Sequence, residues 1–136
     1  MNNSQKTVQT KLTKGLLDLI ILELLEKQPM HGYQIITTVR KSFGVYFGPS
    51  TIYPLLALME KKNYIKCEWN MNGERPRKVY ALTNNGKYLL EYTACSLRGI
   101  CQTLGTDNLS THTEIKNIQF NLANDQKKHE HPLITH

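Results

Sequence analysis

After Asn63 the apolar residues change period. Upstream they recur at helical spacing, but from Ile65 they alternate, with Ile65, Cys67, Trp69 and Met71 on one side and Lys66, Glu68 and Asn70 on the other. Helical neighbours lie three or four residues apart and strand neighbours two apart, so one kind of element cannot satisfy both patterns. The break separates a helical block from a hairpin, whose turn starts at Asn72 and Gly73 and whose second strand returns as Arg77 to Leu82. Trp69 shares the parity of Ile65 and Cys67, which predicts a half-buried strand residue in preference to the wall of a ligand site.

The helical block divides at its breakers. From Leu12 to Lys27 the leucines and isoleucines cover more than one stripe of a helix, so one side can face the chain's own core while the other needs a further element or a second subunit. Gln28 and Pro29 interrupt it. A second helix, His31 to Ser42, places Tyr33, Ile36, Val39 and Phe43 near one face, with Gly44 as terminator. Pro49 and Ser50 open a third, in which Ile52, Leu55, Leu56 and Met59 form the core face. Pro54 is expected in its first turn, where a missing donor costs little. Beyond the hairpin, Thr83 caps a long helix whose Leu90, Leu97 and Leu104 lie seven apart, a seam suited to another helix, and Gly105 ends it.

Residues 1–10 are polar and without period, and read as a flexible arm. Residues 106–136 read as a short helix, with Thr111 and Glu114 as its capping box, and a polar disordered tail. The expected fold is mainly α with a small β-hairpin: a winged helix-turn-helix over 11–83 followed by a dimerisation helix over 84–105. In that layout the third helix suits a major groove and the hairpin is its wing.

With 136 residues the chain suits a single domain, and 17 basic against 11 acidic residues give a net charge of +6. From Met30 to Leu82 there are eight bases and three acids, so most of the excess sits in the middle of the chain. That distribution favours a polyanionic partner. Arg75, Arg77 and Lys78 surround the stiffening Pro76 at the hairpin tip. Such a compact cation suits a phosphate backbone or a minor groove, and equally a solvated turn whose charges protect a strand edge from aggregation. Ser50 and Thr51 at the start of the third helix offer hydroxyls beside free N–H groups, Tyr53 suits a backbone or base-edge contact, and Lys61 lies further along. The competing reading has Ser50 as a plain cap and Tyr53 packed on Tyr46 or Phe47.

Little points to catalysis. His31 is a cap or packing residue without a nucleophile or second acid–base group in a defined relation to it, and no phosphate loop of the G-x-x-x-x-G-K type occurs. The "HEH" of His129 to His131, with His112 and His136, lacks partners at metal-binding spacing, so no metal or cofactor is expected. Cys67, Cys95 and Cys101 are odd in number and read as reduced thiols of a cytoplasmic protein. Six residues apart, Cys95 and Cys101 cannot pair within one helix, which leaves only cross-subunit pairing for a redox switch. Asp18 and Glu23 interrupt the run from Leu16 to Leu25, so it is neither a signal segment nor a membrane span.

The stretches "LLDLIILELLEKQPMHGYQI", "GPSTIYPLLALMEKKNYI" and "RPRKVYALTNNGKYLL" resemble, in order, successive blocks of the PadR family of transcriptional regulators, over Leu16 to Leu90. The resemblance implies a winged helix-turn-helix, a homodimer built through C-terminal helices, and repression of a nearby operon relieved by a small-molecule effector at the dimer interface. Ser50, Thr51 and Tyr53 match the recognition-helix block, Arg75, Arg77 and Lys78 the basic wing. His31, Gly32 and Tyr33 match a block that shapes the second helix. The single long helix from Thr83 to Leu104 resembles the family's small class, with Leu90, Leu97, Ile100 and Leu104 as the dimerisation residues. Double-stranded DNA is the implied partner. The rival reading is a winged helix whose basic face takes RNA or a protein without operator recognition.

Overall fold

The computed structural model describes residues 2–106. Among them, five helices and three short strands follow in the order α1 (Asn3–Gly15), α2 (Leu17–Lys27), β1 (Met30–His31), α3 (Gly32–Phe43), α4 (Pro49–Lys61), β2 (Ile65–Asn70), β3 (Arg77–Leu82) and α5 (Asn84–Leu104). The strands form one antiparallel sheet in the order β1-β3-β2. The expected helix over Thr111 to Leu122 and the tail lie outside the described residues. None of the described helices is long and apolar enough to cross a membrane.

The core lies where α2, α3, α4 and the base of the hairpin meet. Ile21, Leu22, Ile35, Ile52, Leu56 and Ile65 are fully buried there, and Tyr80 and Leu90 close its edges. Gly44 ends α3 in the left-handed region at φ 69°, donating its N–H to the Arg40 carbonyl at 2.9 Å. Asn63 adopts φ 63° after α4, a conformation its short polar side chain tolerates.

Several elements differ from the sequence reading. The polar segment taken as an arm is helical from Asn3, because Asn2 and Gln5 form a reciprocal capping box and Gln9 Nε2 donates to the Phe43 carbonyl at 2.7 Å. The helix expected over Leu12 to Lys27 is broken at Leu16, whose φ of −104° and ψ of 10° turn α1 away from α2. Tyr33 is exposed, and its expected place on the inner face of α3 is taken by Ile35. Pro54 lies beyond the first turn of α4, since Pro49 already occupies the first position. Trp69 is 64% exposed despite its inward parity, because the hairpin extends past the body that would cover it. Leu90, expected at a dimer seam, is 8% exposed within the chain's own core.

Candidate nucleic-acid interface

Gly48 precedes helix α4 as its cap and has no side chain to bond the first turn. Ser50 is therefore not the cap. Pro49 has no N–H, and the Gly48 carbonyl accepts from both Thr51 and Ile52 at 3.0 Å, so the amide left without a backbone acceptor at this helix start is that of Ser50. The helix terminus thus offers one free amide instead of several. Beside it the hydroxyls of Ser50 and Thr51 have no hydrogen-bond partner among the described residues, and the Ser50 side chain faces solvent. Lys61 lies at the far end of α4, about 16 Å along the axis from Ser50 at 1.5 Å per residue. It is exposed, and separate from the cluster at the helix start.

Tyr53 is seated on the start of α3. Its ring lies against the backbone of Gly32, where a Cβ would stand 2.5 Å from Cε1 and 2.6 Å from the hydroxyl, and the residue stays 43% exposed. The glycine of "HGY" is thus the seat of a tyrosine from the next helix. His31, one residue earlier, caps α3: its Nδ1 accepts from the Gln34 amide at 3.3 Å, while Gln34 Oε1 accepts from the His31 amide. Partial burial, and then the charge of Arg77, hold the imidazole pKa below its usual 6.5. Nε2 lies 3.3 Å from Nη1 of Arg77, and which of the two ring nitrogens carries the proton sets whether it donates or accepts there.

β1 adds a short rung to the wing, with Met30 opposite Tyr80 and His31 opposite Val79. It fixes the start of α3 against β3, so that Tyr53 of α4 and Arg77 of β3 meet at the single step from His31 to Gly32. Among the described residues, Arg75 and Arg77 have no carboxylate partner, and both line an open concavity of about 660 Å³ at the wing tip with Asn70 and Asn72.

Lys78 behaves differently from these two arginines. Its ammonium lies 3.6 Å from Glu60 Oε2 of α4 and 5.7 Å from the centre of the Tyr80 ring, while the Cys67 thiol donates to Glu60 Oε1 at 3.3 Å. Burial alone would lower the Lys78 pKa, but Tyr80, Cys67 and Glu60 outweigh it and hold the pKa above its usual value. Burial, then Glu60, push the Cys67 thiol up. Lys78 thus latches the wing to the C-terminal half of α4, and its charge is partly spent there.

On the other flank of α4, Tyr33, Thr37 and Arg40 of α3 line a cavity of about 340 Å³ with Tyr46 and Pro49. Tyr33, Thr37 and Arg40 share one side of α3 at i, i+4 and i+7, a spacing that the placing of Tyr33 on the core face hides in the sequence.

Three helices, a hairpin wing and an exposed polar helix start define a winged helix-turn-helix protein. The profile described as the transcriptional regulator PadR-like family matches residues 21–92, and the chain belongs to that family. A PadR family transcription regulator from hypervirulent Clostridium difficile R20291 is 34% identical, with a TM-score of 0.62 over 67% of this chain and 96% of that one. The PadR protein of Bacillus subtilis, solved in complex with operator DNA, is 29% identical, with a TM-score of 0.54 over 58% of this chain and 45% of that one. A 37.1 kDa protein in transposon TN4556 of Streptomyces fradiae is 32% identical over 79 residues; the match takes in 58% of this chain and spans 22% of that relative's length.

Proposed function

We propose that the protein is a homodimeric, sequence-specific DNA-binding repressor working in the cytoplasm. The observation that carries this reading is the convergence of Tyr53 from α4 and Arg77 from the wing at His31 and Gly32, beside the free amide and hydroxyls of Ser50 and Thr51. Those groups suit a duplex: α4 enters the major groove, Arg75 and Arg77 meet the adjacent backbone or minor groove, and Lys61 meets phosphate further along. With the ring proton on Nε2, a phosphate oxygen beside His31 and Arg77 would accept from both. Lys78 has the lesser share, since Glu60 already holds it.

Dimerisation is supported by the apolar side of the molecule away from this face. Leu12, Leu16, Leu19, Ile20, Phe43 and Leu97 line an open trough of about 650 Å³ between α1, α2 and α5. Further along α5, Ile100 and Leu104 are 57% and 71% exposed. A second copy's α5 would cover this surface, and a small-molecule effector would find its apolar walls there. Leu90 takes no part, being used within the chain.

Two recognition helices related by a two-fold axis require a near-palindromic operator with half-sites about 34 Å apart. With three or four phosphates neutralised per subunit, log affinity should fall with log salt at a slope of roughly −5 to −7. The test is a salt-dependent titration against duplex from upstream of the coding sequence, with a shuffled duplex of equal length. Preference for the native duplex is expected. Equal affinity for both, or a slope near zero, would sink operator recognition and favour RNA or a protein partner.

A narrower prediction concerns Gly32. In Gly32→Ala the new methyl must push the Tyr53 ring aside. Because the atoms met are the far end of a partly exposed side chain, stability should change by less than about 1 kcal/mol. Affinity for the native duplex should nevertheless fall about tenfold, as far as in Tyr53→Ala, since one charge-assisted hydrogen bond is worth that much. Unchanged affinity in Gly32→Ala would show that the ring's seat is irrelevant to binding.

A further inference from the structure

Cross-strand pairing assigns Ile65 with Leu82, Cys67 with Tyr80, and Trp69 with Lys78 to one face of the hairpin. That face changes its surroundings along its length. At the base Ile65 and Tyr80 are in the core, and midway Glu60 of α4 touches both Cys67 and Lys78. Beyond Glu60 the same face continues as Trp69, 64% exposed, and Met71, two residues on and just past the end of β2, is 68% exposed. Single exposed apolar side chains need no explanation. Here two large ones stand two residues apart at the outer end of a slender hairpin, and Trp69 is on the side on which α4 lies.

Their neighbours indicate what can cover them. Lys78 is directly opposite Trp69 on this face, Arg77 is opposite Asn70 on the other, and Arg75 lies in the turn. From Ile65 to Leu82 the wing carries four bases and two acids. An apolar protein surface seated on Trp69 would strip water from Lys78 beside it and offer that ammonium nothing beyond the single carboxylate of Glu60. A duplex presents phosphates for the cations and the apolar faces of deoxyribose between them. With α4 in the major groove and the wing at the adjacent minor groove, the sugar–phosphate ridge between the grooves runs along the face that Trp69 shares with Lys78.

We propose that Trp69 and Met71 pack on the deoxyribose faces of that ridge, a salt-independent apolar contact inside an otherwise electrostatic interface. The proposal rests on the DNA-binding reading above. The contact touches no base edge, so it raises affinity for native and shuffled duplexes alike.

Trp69 is the chain's only tryptophan, so its emission reports on this face alone. Full-length protein is titrated with native and shuffled duplex, then with heparin, a polyanion without deoxyribose, while anisotropy of labelled duplex follows binding independently. Both duplexes should shift the emission to the blue, and heparin should bind without the shift. Trp69→Ala should lose about five- to tenfold in affinity for both duplexes at an unchanged salt slope, and Trp69→Phe should recover most of it. Arg77→Ala should instead flatten the slope by about one. Far-UV circular dichroism checks that each variant is folded. Duplex binding with unchanged emission and full affinity in Trp69→Ala would overturn the proposal and leave the DNA reading intact. Absence of any duplex binding would remove both. A blue shift that grows with protein concentration without DNA would assign the face to a second copy and overturn the proposal.

Discussion

Replacing Ile100 and Leu104 together by glutamate is expected to leave a folded monomer whose affinity for a two-half-site duplex is lower by about 10²- to 10⁴-fold. Both side chains are exposed in the single chain, so the change removes no internal packing. In a dimer they would lie within a buried apolar seam, where unpaired carboxylates are strongly unfavourable. Helix α5 has 21 residues, about 31 Å of length, enough with α1 and α2 to reach the roughly 1,000 Å² that a specific interface needs. The loss of affinity follows from effective concentration: once one half-site is bound, the second recognition helix is held close to its own half-site, and a monomer forfeits that gain. Affinity for a single half-site should be unaltered, which separates loss of dimerisation from damage to the DNA face. Light scattering across protein concentration supplies the oligomeric state. A double variant that remains dimeric would place the interface elsewhere.

The sequence made faces legible more readily than it made their coverings legible. Ile52, Leu55, Leu56 and Met59 were assigned to the core of α4 by spacing alone; the structure buries Ile52, Leu56 and Met59 and leaves Leu55 half-buried against them. The hairpin, the Thr83 cap and the Gly105 stop were readable because each has a local chemical cause. Trp69 illustrates the limit. Alternation correctly gave its side of the strand, but parity cannot say how far the body extends beneath it. Leu90 illustrates the converse, since a seven-residue seam looks the same whether its partner is α2 of the same chain or a helix of another.

Contacts between distant residues were out of reach. Nothing local marks Gly32 as the seat for Tyr53, or Glu60 as the partner of Lys78 and Cys67. The two-residue β1 is too short to have a period and exists only through its pairing with Tyr80 and Val79. Helix α1 was missed for a different reason. Its Asn2 and Gln5 carry a visible capping signal, but its weak apolar stripe, with Val8 and Leu12 exposed, hid the helix that Gln9 anchors to Phe43.

Gly86→Ala should be the most damaging glycine-to-alanine change among the described residues, lowering stability by on the order of 3 kcal/mol and the melting temperature by more than about 10 °C. A Cβ at this position would overlap the Tyr64 carbonyl oxygen and stand 2.5 Å from Leu82 Cδ1. Leu82 has rotamers to offer, but the carbonyl belongs to the turn between α4 and β2 and has none. That oxygen also accepts from the Thr83 amide at 3.1 Å and from its hydroxyl at 2.9 Å, while Thr83 Oγ1 accepts from the Gly86 amide at 3.0 Å. Making room for the methyl therefore pulls α5 off the hairpin base and breaks the cap that starts the helix. Gly99→Ala is the control, because its Cβ would meet nothing within 4 Å. There the same methyl should add about 0.5–1 kcal/mol by improving helix propensity. Opposite shifts in thermal melts would establish that close backbone approach, not glycine in a helix as such, sets the effect. A fall of only a few degrees in Gly86→Ala would mean that the joint between wing and α5 yields easily, and that this helix does not hold the two wings of a dimer at a fixed spacing.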